Sequence, residues 1–116
     1  MGVDLTLLPL IGPDFWASHD VIQLNRRSAL WPEIAKLKQH PIPMPLTCYL
    51  SRGEDGESRY GNTEKDPYGD PLKWTTAAEL LTLKDHEVVV DDWQNRAVWA
   101  YLSHMPPDWP IVLYWH

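Results

Sequence analysis

Seven tryptophans, Trp16, Trp31, Trp74, Trp93, Trp99, Trp109 and Trp115, are spread through a chain of 116 residues. Each brings a large apolar ring system and one N–H that needs an acceptor once it is buried. Such a density implies either an aromatic-rich core or an aromatic surface that meets another molecule. The length fits one domain, residues 1–116, and suffices for a core without disulfide or metal staples.

The hydrophobic pattern predicts a mixed α+β chain. Val3–Ile11 opens with alternation, Val3, Leu5 and Leu7 on one side and Asp4 and Thr6 on the other, which is a strand signal. Pro9 lacks an N–H and limits that strand to an edge or an end. Gly12-Pro13-Asp14 reads as a turn. A helix over 28–39 follows, with Ser28 as N-cap, Pro32 in the first turn where a missing N–H costs little, and Leu30, Ile34 and Leu37 on its buried face. Residues 19–27 read as a separate short turn. His40–Pro45 alternates proline and reads as extended linker. Leu46–Ser51 reads as a second strand.

Residues 52–74 then read as one long polar loop, with six carboxylates, four glycines and two prolines before Trp74. Loops of that length in a compact domain are functional or disordered more often than not. Thr76-Ala77-Ala78-Glu79 is a capping box that starts a helix carrying Leu80, Leu81 and Leu83. Val88-Val89-Val90 reads as a β-prone link. Asp91 or Asp92 caps a further helix over 92–105, with Trp93, Ala97, Ala100 and Tyr101 on one side and Val98, Leu102 and Met105 adjoining. Pro106-Pro107 ends it. Ile111–Trp115 lacks alternation, so it is expected to be a strand covered on both faces. The order is β-α-β-loop-α-α-β: a small three-stranded sheet packed against about three helices. Trp31, Trp93 and Trp99 are expected in the core; Trp16, Trp74 and Trp109 are the candidates for exposure.

The formal charge is −6, from ten Lys/Arg against sixteen Asp/Glu. An acidic chain repels phosphate backbones, which disfavours direct nucleic-acid binding and suits a basic partner. Cys48 is the only cysteine, so no internal disulfide forms and a reducing cytoplasm is expected. Its place within an apolar run suits a small buried hydrophobe. No apolar stretch approaches the roughly 20 residues of a spanning helix, and no signal peptide is read.

No motif of catalysis stands out. The carboxylates Glu54, Asp55, Glu57, Glu64, Asp66 and Asp70 do not follow the EF-hand spacing and read as a solvated loop. His19, His40, His86, His104 and His116 form no metal-ligand spacing, and there is no cysteine pair for zinc. Ser18-His19-Asp20 holds triad residue types, but neighbours in sequence cannot adopt triad geometry. There is no dinucleotide fingerprint and no phosphate-binding glycine loop. No cofactor, metal or catalytic residue is therefore assigned. Arginines near aromatic rings, Arg26 and Arg59 with Trp74, could stack on and grip a nucleotide.

Three segments carry a resemblance. Met1-Gly2-Val3-Asp4, Asn25–Leu37 and Trp74-Thr75-Thr76-Ala77-Ala78-Glu79-Leu80 resemble, in the same order and over about a quarter of the chain, small phage and prophage proteins that open M-G-C-D-I-H. Thr6 stands where those proteins have His, and Leu72-Lys73 replace a His/Ser-rich approach to the Trp. The resemblance implies phage origin and a host cytoplasm rather than a reaction. It also accounts for the Met-Gly start without lipidation.

The reading that follows is a non-enzymatic phage accessory protein that binds and inhibits a host or defence protein with a basic surface. Its expected contact residues are Asp55, Glu57, Tyr60, Glu64, Asp66, Tyr68 and Trp74. A nucleotide binder or sequesterer built on Arg26, Arg59 and Trp74 is the alternative. A metal-dependent hydrolase using Asp4 and the loop carboxylates is a second one.

Overall fold

A computed structural model describes residues 3–12, 16–18, 22–25, 29–52 and 58–116, the side chains of 48–52 and 58–60 excepted. The chain is α+β. Its framework is an antiparallel five-stranded sheet made of β1 (Leu5–Pro9), β3 (Ile22–Gln23), β4 (His40–Pro41), β7 (Lys73–Thr76) and β8 (Pro110–Trp115), in the order β3-β1-β8-β7-β4. A second sheet, β2-β5-β6, joins β2 (Ala17–Ser18) in parallel to β5 (Leu46–Arg52), which forms a hairpin with β6 (Ser58–Thr63). The helices are α1 (Trp31–Ala35), α2 (Ala77–Leu81), α3 (Glu87–Asp91) and α4 (Trp93–Ser103).

The central strands read as the pleat demands. Leu5 and Leu7 of β1, with Ile111 and Leu113 of β8, face the helical layer of Leu24, Leu30, Ile34, Leu80, Val89, Trp99 and Leu102. Leu8 and Val112, one residue away along each strand, face the other side with Leu46 of β5 and Leu72. β8 is thus apolar throughout because both of its faces are covered, as its lack of alternation predicts. Pro9 stands at the end of β1, opposite Ile111 of β8, and among the described residues β3 pairs with Thr6 and Leu7.

Several elements differ from the expectation of three strands and three helices. Residues 52–74 are not one loop: β5 runs to Arg52 and β6 pairs with it from Leu46↔Thr63 to Arg52↔Ser58. β6 is an edge strand, and Ser-Arg-Tyr-Gly-Asn-Thr offers no apolar alternation that would reveal it. His40–Pro41 is a short strand beside β7 rather than bare linker, and Ile22–Gln23 is a strand within the expected turn at 19–27. Val88–Val90 is helical. His86 Nδ1 accepts the Val88 N–H at 3.1 Å as an N-cap, and burial of Val89 against the helical cluster overrides β propensity. The helix expected over 28–39 is only α1; it has no side-chain N-cap, and Gln39 closes its end by donating to the Ile34 and Ala35 carbonyls. Ser28, His19, Asp20 and the side chain of Cys48 lie outside the described residues.

The local start signals do hold. Thr76 Oγ1 accepts the Glu79 N–H at 3.2 Å at the head of α2. Asp92 Oδ1 accepts from Gln94 N and Asn95 N at 2.9 and 3.1 Å at the head of α4. Among the described residues no helix is long and apolar enough to cross a membrane.

Candidate protein-contact surfaces

The stretch from Glu64 to Trp74 is organised by one carboxylate. Asp66 Oδ1 accepts from the backbone N–H groups of Tyr68 (2.9 Å) and Asp70 (3.1 Å). The Asp66 N–H bonds the Asp70 carbonyl, Gly69 donates back to Asp66 O, and Leu72 N donates to Glu64 O. Gly69 takes φ +87°, a conformation that residues with a Cβ rarely adopt. The result is a fastened turn with Tyr68 at its tip, 55 % exposed, between exposed Glu64 and Asp70. Asp66 is itself buried and its Oδ1 is engaged by the backbone of the turn, so it shapes the surface on which Tyr68 stands.

Trp74 lies elsewhere. On β7 its ring is half-buried, tilted against His40 at 4.7 Å and edge-on to Trp16 at 6.0 Å. It is a wall of the second apolar cluster more than a probe for a partner. Of the other expected contact residues, Tyr60 lies on β6 opposite Tyr49, its side chain outside the described ones, and Asp55 and Glu57 lie outside the described residues. The same holds for the nucleotide alternative: Arg26 and the Arg59 side chain lie outside them. Trp74 lines neither of two surface cavities, one of about 220 Å³ between Gln39, Asp66, Lys73 and Trp115, the other of about 350 Å³ beside Trp109.

Among the described residues the most exposed ring is one that sequence reasoning assigned to the core. Trp93 is 71 % exposed. On α4 the buried stripe is Asn95, Val98, Trp99 and Leu102, while Trp93, Ala97, Ala100 and Tyr101 face solvent, with Tyr101 47 % exposed. Trp99 is fixed inward because its Nε1 donates to the Leu80 carbonyl at 2.8 Å. Asn95 Oδ1 accepts the Asn25 N–H and Asn25 Nδ2 donates to Asp92, which ties the inward stripe to the chain beside β3. Both stripes are apolar, so the pattern fits either rotation. The signal available in the sequence was the excess itself: a helix apolar on two sides has one side to spare.

One further pair joins chemically active groups. Thr6 Oγ1 and His116 Nε2 share a hydrogen bond of 2.8 Å, on the sheet face where Thr6 pairs in register with Tyr114. The Tyr114 ring stands 5.8 Å from the imidazole. His116, the residue after β8, thus brings an imidazole beside position 6. With Thr6 buried, the bond fastens β1 to β8, alongside the reciprocal backbone pair of Asp4 and His116. Among the described residues no group of three or more His, Cys, Asp or Glu could hold a metal ion.

No protein-family model matches the chain, and no curated protein or solved structure matches it either.

Proposed function

We propose that this protein is a phage-encoded accessory protein that works by binding, and thereby inhibiting, a host or defence protein with a basic surface. The observation that carries the reading is the fastened turn at Glu64–Leu72. It holds a tyrosine outward between two exposed carboxylates, with the conformational entropy of the loop already removed. A rigid aromatic anchor with charged neighbours is how binding surfaces combine affinity with steering. The formal charge of −6 extends the same attraction over the whole molecule. Phage origin rests on the three-segment resemblance alone.

The test is affinity capture from host lysate, run in parallel with Tyr68→Ala and with Glu64→Gln/Asp70→Asn. The expected result is a prey protein that weakens tenfold or more with Tyr68→Ala, by the hot-spot scale of about 2 kcal/mol, and that elutes readily in salt. A prey retained equally by all three chains would overturn the reading.

A further inference from the structure

Three elements meet at the cavity of about 220 Å³, and each brings a different group to it. The sheet supplies the floor. Lys73 of β7 stands in register opposite Leu113 of β8 and Trp115 follows two residues on, so all three share one face of the sheet. The Trp115 ring is set edge-on to Trp31 at 5.8 Å, which holds it as an apolar wall. The end of α1 supplies an acceptor. Gln39 Nε2 gives its N–H groups to the Ile34 and Ala35 carbonyls at 3.2 and 3.1 Å, which leaves Oε1 of the same amide for the cavity. The turn supplies a carboxylate. Asp66 is 9 % exposed and its Oδ1 is taken by the N–H groups of Tyr68 and Asp70, so Oδ2 is the atom it has left to offer.

Two opposite charges thus line one small space. Among the described residues neither Asp66 nor Lys73 forms an ion pair, with the other or with a third residue. A buried carboxylate with an open oxygen calls for a positive donor, and an ammonium on a flexible four-carbon stem calls for an anionic acceptor. A plain cation meets only the first demand and is repelled by Lys73. A plain anion meets only the second, against the formal charge of −6. A ligand that carries both charges and no net charge meets both demands.

From this we infer that the cavity binds a free α-amino acid with an apolar side chain. Asp66 Oδ2 and Gln39 Oε1 hold its ammonium, Lys73 holds its carboxylate, and its side chain lies against Leu113 and Trp115. The size agrees. A volume of about 220 Å³ is room for roughly seven waters at the ~30 Å³ that each takes in the liquid, which an aliphatic amino acid of about nine heavy atoms fills.

Isothermal titration calorimetry with L-leucine and L-methionine tests the inference, beside two probes that each lack one charge: the α-keto acid of leucine, without the ammonium, and isoamylamine, without the carboxylate. The expected result is saturable binding of an amino acid and binding weaker by about tenfold or more for either probe, because each leaves one charged group of the cavity unmatched. Asp66→Asn separates binding from folding. Its Oδ1 can keep both N–H bonds of the turn while an amide nitrogen replaces Oδ2, so the melting curve should hold and amino-acid binding should fall about tenfold or more. Lys73→Met keeps the stem, removes the charge and should cost as much. Lys65→Met, at an exposed lysine that does not line the cavity, should bind as the parent chain does. No saturable heat with either amino acid in the millimolar range overturns the inference. So does an amine or keto acid that binds as well as the amino acid, or a Lys73→Met chain that binds unchanged. None of these readings involves a host partner, so the contact through Tyr68 stands or falls apart from them.

Discussion

Trp93 and Trp99 lie six residues apart on the same helix and meet opposite fates: one 71 % exposed, the other 4 %. Local sequence does not separate them, because each sits in an apolar stripe at helical spacing. Two tertiary facts do. The Leu80 carbonyl at the end of α2 offers an acceptor to an inward indole, and Trp99 Nε1 takes it. Asn25 and Asp92 hold the start of the helix so that Asn95 must face inward. A buried tryptophan needs both volume and an acceptor, and only position 99 is offered both. What is left over on the far side is free to meet another surface.

That contrast can be broken by experiment. The largest effect is expected at Trp99→Ala. It opens a cavity under β1 and β8 and removes the indole donor from the Leu80 carbonyl, which keeps the Leu83 N–H, a loss of about 3–5 kcal/mol in urea unfolding. Next comes Asp92→Ala, which strips two N–H groups at the head of α4 of their acceptor and Asn25 Nδ2 of its partner; about 2 kcal/mol is expected by the same measurement. The smallest is Trp93→Ala, within about 0.5 kcal/mol. Should Trp93→Ala prove as damaging as Trp99→Ala, the two faces of α4 would not differ in the way described. A strongly destabilised Asp92→Ala with an intact far-ultraviolet spectrum would sharpen the contrast, by showing that the cap sets the rotation of α4 rather than its existence.

A second comparison runs between the turn at Tyr68 and the aromatic cluster around Trp74. In the sequence they belong to one polar, ring-bearing stretch, and Tyr68, Asp66 and Trp74 look alike as contact residues. In the structure they divide by function. Tyr68 is displayed, Asp66 fastens the turn that displays it, and Trp74 is packed between His40 and Trp16. An aspartate in a loop carries no mark of whether its oxygens will meet solvent or the backbone two and four residues on. That depends on the closure of the turn by Lys65 and Pro71 and on the φ +87° conformation at Gly69.

The sequence by itself determined what depends on residues within a turn or two of one another. These were the α+β class, the start of α2 at its capping box, an aspartate cap for α4 at 91 or 92, and a terminal strand with both faces covered. Tertiary structure alone decided the rest: that Val88–Val90 coil into a helix, that a polar segment becomes the edge strand β6, which side of α4 turns inward, and that His116 comes to bond Thr6 across 110 residues. The physical reason is the same in each case. Caps and turns are satisfied by near neighbours, whereas burial and the pairing of a buried donor with its acceptor exist only once distant segments have met.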